Sequence, residues 1–186
     1  YMGMIDKVIA EEWSQFDKVQ NIGGRADCQD DYETFSIMRK AQYMLWSKEM
    51  LESFYDDLIT ARDKGWNLIT EKYARMMQST NPLEYARLEN DLPVINEDRI
   101  KIQEEIIKIQ VGWMEDFAKL YPKLSGNMRT IHTSSDTSFN TSYETYLRGE
   151  LCTYSEKTMI LYASFIIGLL NAGRNLAIEV MGNTAK

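Results

Sequence analysis

At 186 residues, 44% hydrophobic and 26% charged, the chain is long enough to bury a sizeable core and too apolar to be a disordered segment. A net charge of -7 argues against a broad phosphate-binding face, so general nucleic-acid binding is not expected. Two cysteines, Cys28 and Cys152, are too few for a disulfide scaffold, and the start of the chain shows no leader-like pattern, so a cytoplasmic protein of one domain, residues 1–186, is expected.

Ile5, Ile9, Trp13 and Phe16 form an apolar stripe that predicts a first helix over residues 4–19. It stops at Asn21-Ile22-Gly23-Gly24-Arg25-Ala26-Asp27-Cys28-Gln29, where paired glycines permit unusual backbone angles. Asp30 and Glu33 have capping-box spacing and open a second helix that ends near Gly65. Its core face is Ile37, Ala41, Met44, Leu51, Tyr55 and Leu58; Phe35, Trp46 and Phe54 lie off that face, which implies neighbours on two sides. A shorter helix follows over residues 66–77. Pro82 suits the first turn of another, through about residue 90, and Asn96 caps the next. Ile102, Ile106, Ile109, Trp113, Phe117 and Leu120 form its stripe, and Pro122 closes it. Residues 123–140 are rich in Ser, Thr and Asn, lack periodicity, and read as a functional or disordered loop.

The last element is the organising one. Residues 141–180 read as a single long helix, with Tyr143, Leu147, Leu151, Tyr154, Thr158, Leu161, Phe165, Leu169, Ala172 and Leu176 on one face. The twelve residues from Met159 to Leu170 are apolar nearly all round, which is short of the roughly 18 that a membrane span requires. No membrane insertion is expected, and the helix reads as a buried core element. With no strand pattern, the expected fold is all-α: a bundle of about five or six helices around this C-terminal helix.

A second row on that helix comprises Tyr146, Glu150, Thr153, Lys157, Ser164, Gly168, Asn171 and Asn175. Polar or small residues beside a core stripe must face a cavity or admit another backbone, because an unpartnered buried polar group costs on the order of 1–3 kcal/mol. Close packing at Ser164 and Gly168 is the structural explanation, and a polar pocket is the functional one.

Metal chemistry lacks its ligands. His132 is the only histidine, so neither paired Glu-x-x-His motifs nor a zinc set is available, and no cofactor is expected. A thiolate nucleophile would need Cys28 near His132 or Arg25; a small cysteine at a turn is the simpler reading. Glu144 and Arg148 stand one helical turn apart in the favourable order, and Thr141 with Glu144 has capping-box spacing.

The segments N-I-G-G-R-A-D-C-Q-D-D and S-Y-E-T-Y-L-R-G-E-L-C-T-Y-S together resemble a bacterial family, domain of unknown function 4125, over nearly the whole chain. That resemblance implies a compact intracellular helical protein and carries no catalytic assignment. It also implies relatives adjacent or fused to a nucleotidyltransferase-like domain, and hence a partner role as one alternative.

The reading that follows is a polar pocket for a small anionic or amide-bearing metabolite, walled by the long helix, the second helix and the Gly23-Gly24 loop. Arg25, Arg39 and Arg148 would contact acid groups, since a guanidinium holds a carboxylate or phosphate through two bonds. Gln29, Gln42 and Asn175 would fix orientation, with Tyr146 and Glu150 nearby. Turnover in the same pocket, with Glu150 or Cys28 as the reacting group, is the enzymatic alternative, and a non-catalytic partner module is the third.

Overall fold

A computed structural model describes residues 1–21 and 24–185; Ile22, Gly23 and Lys186 lie outside the described residues, and with Gly23 half of the paired-glycine loop. Among the described residues the chain is all-α, with ten α-helices, short 3₁₀ turns and no strand. The helices are α1 (Met2–Asp17), α2 (Tyr32–Tyr43), α3 (Lys48–Asp63), α4 (Leu68–Thr80), α5 (Pro82–Leu88), α6 (Glu97–Leu120), α7 (Pro122–Ser125), α8 (Tyr143–Cys152), α9 (Glu156–Asn171) and α10 (Leu176–Thr184). They divide between two compact units. The first holds residues 1–70, 154–162 and 179–186, and the second residues 71–153 and 163–178.

The expected five or six helices are ten because two long ones are broken and a short helix, α7, forms where Pro122 closes α6. The second predicted helix stops at Tyr43 and restarts at Lys48, where the Ser47 side chain accepts a hydrogen bond from the Met50 amide. The Tyr1 hydroxyl lies 2.8–3.1 Å from the carbonyls of Tyr43, Met44 and Trp46, which are exposed by that break. The stripe shifts with it: Ile37 is exposed, whereas Trp46 and Phe54 are core residues.

The predicted helix over 141–180 is three helices. The first break follows Cys152, where the Thr153 hydroxyl donates to the Glu150 carbonyl and Ser155 accepts from the Thr158 amide. The second follows Asn171, where Gly173 has φ +69°, a left-handed conformation that glycine adopts without penalty. Asn175 then caps α10 by accepting from the Ile178 amide at 3.2 Å. The polar row is dispersed accordingly. Lys157, Ser164, Gly168 and Asn171 are exposed, and nothing lies within 4 Å of a Cβ built on Gly168. The close packing expected there is absent. Among the described residues no single helix is long and apolar enough to cross a membrane; α9 and α10 meet that test only together, as a pair bent by 98°.

In the first unit α1 packs on α2 and α3 through Ile5, Val8, Ile9 and Phe16. Gln15 fixes three segments at once: its amide donates to the Leu58 carbonyl, its side-chain oxygen accepts from the Leu68 amide, and its backbone carbonyl accepts from Asn67. Trp46, Phe54, Tyr154 and Tyr162 form an aromatic cluster with ring centroids 5.3 to 6.3 Å apart, mostly edge to face.

In the second unit α6 packs against α8, burying Ile106, Ile107, Trp113, Phe117, Leu147 and Leu151. At Gly149, α8 comes close to the backbone of α4. A Cβ there would meet the Lys72 carbonyl oxygen at 2.9 Å and Met76 Cγ at 3.1 Å. The 123–140 segment is largely pinned to α8: the Tyr143 and Glu144 amides donate to the Thr130 and Ile131 carbonyls at 2.7 and 2.9 Å.

The two glycines should therefore respond oppositely to substitution. Gly149→Ala drives a methyl into backbone and should cost about 1–3 kcal/mol in urea unfolding. Gly168→Leu should leave stability unchanged or raise it by up to about 1 kcal/mol through helix propensity. The reverse order would disprove the packing described.

Candidate functional site

The residues singled out in the sequence fall in both units, and each is placed within its own. In the first unit Arg25 is exposed and bonds to Asp17 at 2.5 Å, Asp30 at 2.8 Å and the Gln29 carbonyl at 2.6 Å. Its pKa is raised, chiefly by the Asp17 hydrogen bond. Gln29 is fully buried: its amide donates to the Phe16 and Val19 carbonyls, and its oxygen accepts from Asn21 and Ala26. Arg39, 7% exposed, binds Glu12, 1% exposed, through Nε at 3.2 Å and Nη2 at 3.0 Å. Gln42 accepts from Arg39 Nη1 at 3.1 Å, and the Tyr43 hydroxyl donates to Glu12. These groups clamp α1 to α2 and to the turn before it. Cys28 is exposed on that turn.

In the second unit Glu150 is paired with Lys72, Nζ to Oε1 3.5 Å. The Lys72 ammonium also sits 3.7 Å from the centroid of the Tyr146 ring, and the Arg129 guanidinium 4.5 Å from the same centroid. Asn175 donates to the Trp113 carbonyl at 3.1 Å while capping α10, a structural task. His132 faces Glu115 at 3.8 Å. Among the described residues no group of three His, Cys, Asp or Glu could hold a metal ion.

Arg148 lies at a cleft. About 410 Å³ is enclosed by Arg75, Gln78 and Ser79 of α4, Tyr85 of α5, Thr133, and Glu144, Thr145, Arg148, Gly149 and Cys152 of α8. One wall is saturated. Arg148 binds both Glu104 oxygens, Nε at 2.9 Å and Nη2 at 2.8 Å, Glu144 at 2.6 Å and Thr133 at 3.1 Å. Its pKa is raised, foremost by the Glu104 hydrogen bond. Asp136 accepts from the Ser79 hydroxyl at 2.5 Å, from the Ser142 amide at 2.7 Å and from the Thr145 hydroxyl. Burial alone would raise the Asp136 pKa, but hydrogen bonds from Ser79, Thr145 and Ser142 carry it below the ordinary range. Glu144 behaves likewise: burial opposes, and Arg148 and the Thr133 amide win.

The opposite wall is not saturated. Arg75 gives Nε to Glu71 at 2.7 Å and Nη2 to the Pro93 carbonyl at 2.7 Å, which leaves Nη1 unengaged among the described residues. Its side chain is 12% exposed. Tyr85 Oη and the Gln78 amide likewise have no hydrogen-bond partner among the described residues. Burial, then Glu89, pushes the Tyr85 phenol up, so it stays protonated. Burial also raises the Cys152 thiol, against a hydrogen bond from Gln103. The sequence does not single out Arg75, Gln78 or Tyr85, and it marks Cys152 only as one of two cysteines. The spacing of Arg75 and Gln78, three apart on a short helix, was the available signal, and it resembles any solvated helix face.

The comparisons add a family and no activity. The family described as "Protein of unknown function (DUF4125)" matches residues 2–186. No curated protein and no solved structure matches the chain.

Two outcomes follow from the saturated wall. Arg148→Met strands Glu104 and Glu144 and should cost about 1–3 kcal/mol by chemical denaturation. The lowered folded-state pKa values of Asp136 and Glu144 contribute stability above the unfolded carboxylate range of about pH 4. That stability is lost as pH falls through the folded values, so melting temperature should drop steeply below about pH 4. Asp136→Asn should flatten the drop; an unchanged slope would remove Asp136 from the account.

Proposed function

We infer that this chain, which belongs to the family of proteins of unknown function DUF4125, binds a small anionic or amide-bearing metabolite in the cleft of its second unit. The observation that carries this is the unsaturated wall. Arg75, Gln78 and Tyr85 line one cleft, and Arg75 Nη1, Tyr85 Oη and the Gln78 amide have no protein partner among the described residues. Donors gathered in a concavity of this size are what a polar ligand requires; pockets for small molecules span roughly 300–1,000 Å³. Binding fits the cleft better than turnover does. Cys28 belongs to the first unit, Glu150 is engaged by Lys72, and burial raises the thiol pKa of Cys152.

A second reading, a helical partner of a nucleotidyltransferase-like protein, is supported by a different feature. Phe139 is 93% exposed on a turn closed by the Thr137 amide and the Asn140 carbonyl at 3.0 Å. The Thr137 hydroxyl also accepts from the Phe139 and Asn140 amides, so the ring projects from an ordered segment.

Tyr85→Phe tests the ligand reading cleanly, because the hydroxyl it removes has no partner to lose. Stability should stay within about 0.5 kcal/mol of the parent. A thermal shift produced by carboxylate or amide metabolites should fall with an affinity loss of about tenfold, the scale of one hydrogen bond to a charged group. If no member of a broad panel shifts the parent, the reading fails and the partner role replaces it.

A further inference from the structure

The charged groups that line the cleft are two guanidiniums, Arg75 and Arg148, and one carboxylate, Glu144. Glu144 is spent on Arg148, which also holds Glu104, so this half of the lining has no charge to offer a ligand. Arg75 stands in the other half. Its Nε is bonded to Glu71 and its Nη2 to the Pro93 carbonyl, and Nη1 has no protein partner among the described residues. Burial raises the Tyr85 and Cys152 pKa values, Glu89 adds to the rise at Tyr85, and the Arg75 charge opposes it at both. At Cys152 a second guanidinium, Arg99, joins Arg75 against Glu71 alone. Arg75, Tyr85 and Cys152 thus share one corner of the cleft, and two cations set the field at its thiol.

We propose that this corner takes a small monocarboxylate with an uncharged body, its carboxylate held by Arg75, Tyr85 and Gln78. The assignment rests on the ligand-binding reading of the same cleft and narrows it. A carboxylate presents acceptors only, so it can use a guanidinium N–H, a protonated phenol and an amide N–H together. A carboxamide would bring donors of its own to the same corner and forgo the charge-assisted bond. Of the two lining guanidiniums, Arg75 alone has a terminal nitrogen without a partner among the described residues, and it already faces Glu71. A phosphate dianion would therefore bring a second charge that has no counter-group. A charged far end fares no better. A second carboxylate or an ammonium would have to break the pair between Arg148 and Glu144. The body would lie against Thr145, Gly149 and the Cys152 thiol, which burial keeps neutral.

Calorimetric titration of the full chain tests this with short monocarboxylates, their carboxamides, dicarboxylates and α-amino acids of matched length, and inorganic phosphate. Monocarboxylates of fitting length should bind, and each of the other classes should bind about tenfold more weakly or worse. Cys152 reports the place of binding. In a Cys28→Ser background a saturating monocarboxylate should slow Cys152 alkylation several-fold; an unchanged rate puts the ligand away from this corner and overturns the assignment. Tyr85→Phe, and Arg75→Lys, which keeps the charge opposite Glu71 but loses the planar fork, should narrow the gap between an acid and its carboxamide. An unchanged gap in both variants, or any other class binding as tightly as the monocarboxylates, overturns the monocarboxylate assignment and leaves the cleft as a ligand site. Absence of heat from every class overturns both.

Discussion

Asp136 is the group on which the second unit's cleft depends. Its carboxylate gathers the Ser79 hydroxyl from α4, the Thr145 hydroxyl from α8 and the Ser142 amide at the start of α8. One side chain thereby ties the polar 123–140 segment to two helices. Hydrogen bonds to an ionised oxygen are roughly twice as strong as neutral ones, and three converging donors make the charged form the stable one despite partial burial. The segment has little apolar surface to bury, so its order comes from this convergence and from the backbone bonds to Thr130 and Ile131. Without the carboxylate the cleft would lose the element that carries Thr133.

The first unit uses the same device at greater depth. Glu12 and Arg39 are almost wholly buried, and their charges are tolerable because Tyr43 and Gln42 complete the bonding that water would otherwise supply. Gln29 and Gln15 behave similarly, each satisfying backbone groups left open at helix ends and turns. Their hydrogen bonds are directed inward, to one another and to the backbone. They determine which segments meet, and a ligand would gain nothing by replacing them.

Much of the architecture was legible in the sequence because periodic burial is a strong signal. Ile5, Ile9, Leu51, Leu58, Ile106, Trp113, Phe117, Leu147 and Leu151 are all core residues, as their spacing indicates. Asn96 caps α6, and Pro82 opens α5. The break after Cys152 was hidden for a physical reason: Leu151, Tyr154 and Thr158 are all buried, so the apolar rhythm runs through the interruption unchanged. Only the capping chemistry of Thr153 and Ser155 marks it, and a serine followed by a glutamate also occurs inside helices. The polar row built on an unbroken helix therefore mixed buried positions with exposed ones. Sequence also identified Arg148 but could not distinguish its task. Its partner Glu104 is 44 residues away, and so long-range a pairing leaves no local pattern.

Arg148 and Arg75 line the same cleft, yet the contrast between them separates scaffold from proposed site. Arg148 directs donors to two carboxylates and a hydroxyl, so a ligand approaching it would compete with protein groups already in good geometry. Arg75 is neutralised by Glu71 and anchored by the Pro93 carbonyl, yet it retains an idle edge. Anchoring matters as much as vacancy. A guanidinium held at two points loses little conformational freedom when a third partner arrives, so the entropy of ordering a long side chain is already spent in folding. The residue type at the proposed binding site is thus the same one that marks a structural lock. The distinguishing quantity is donor capacity left over after the fold has satisfied itself.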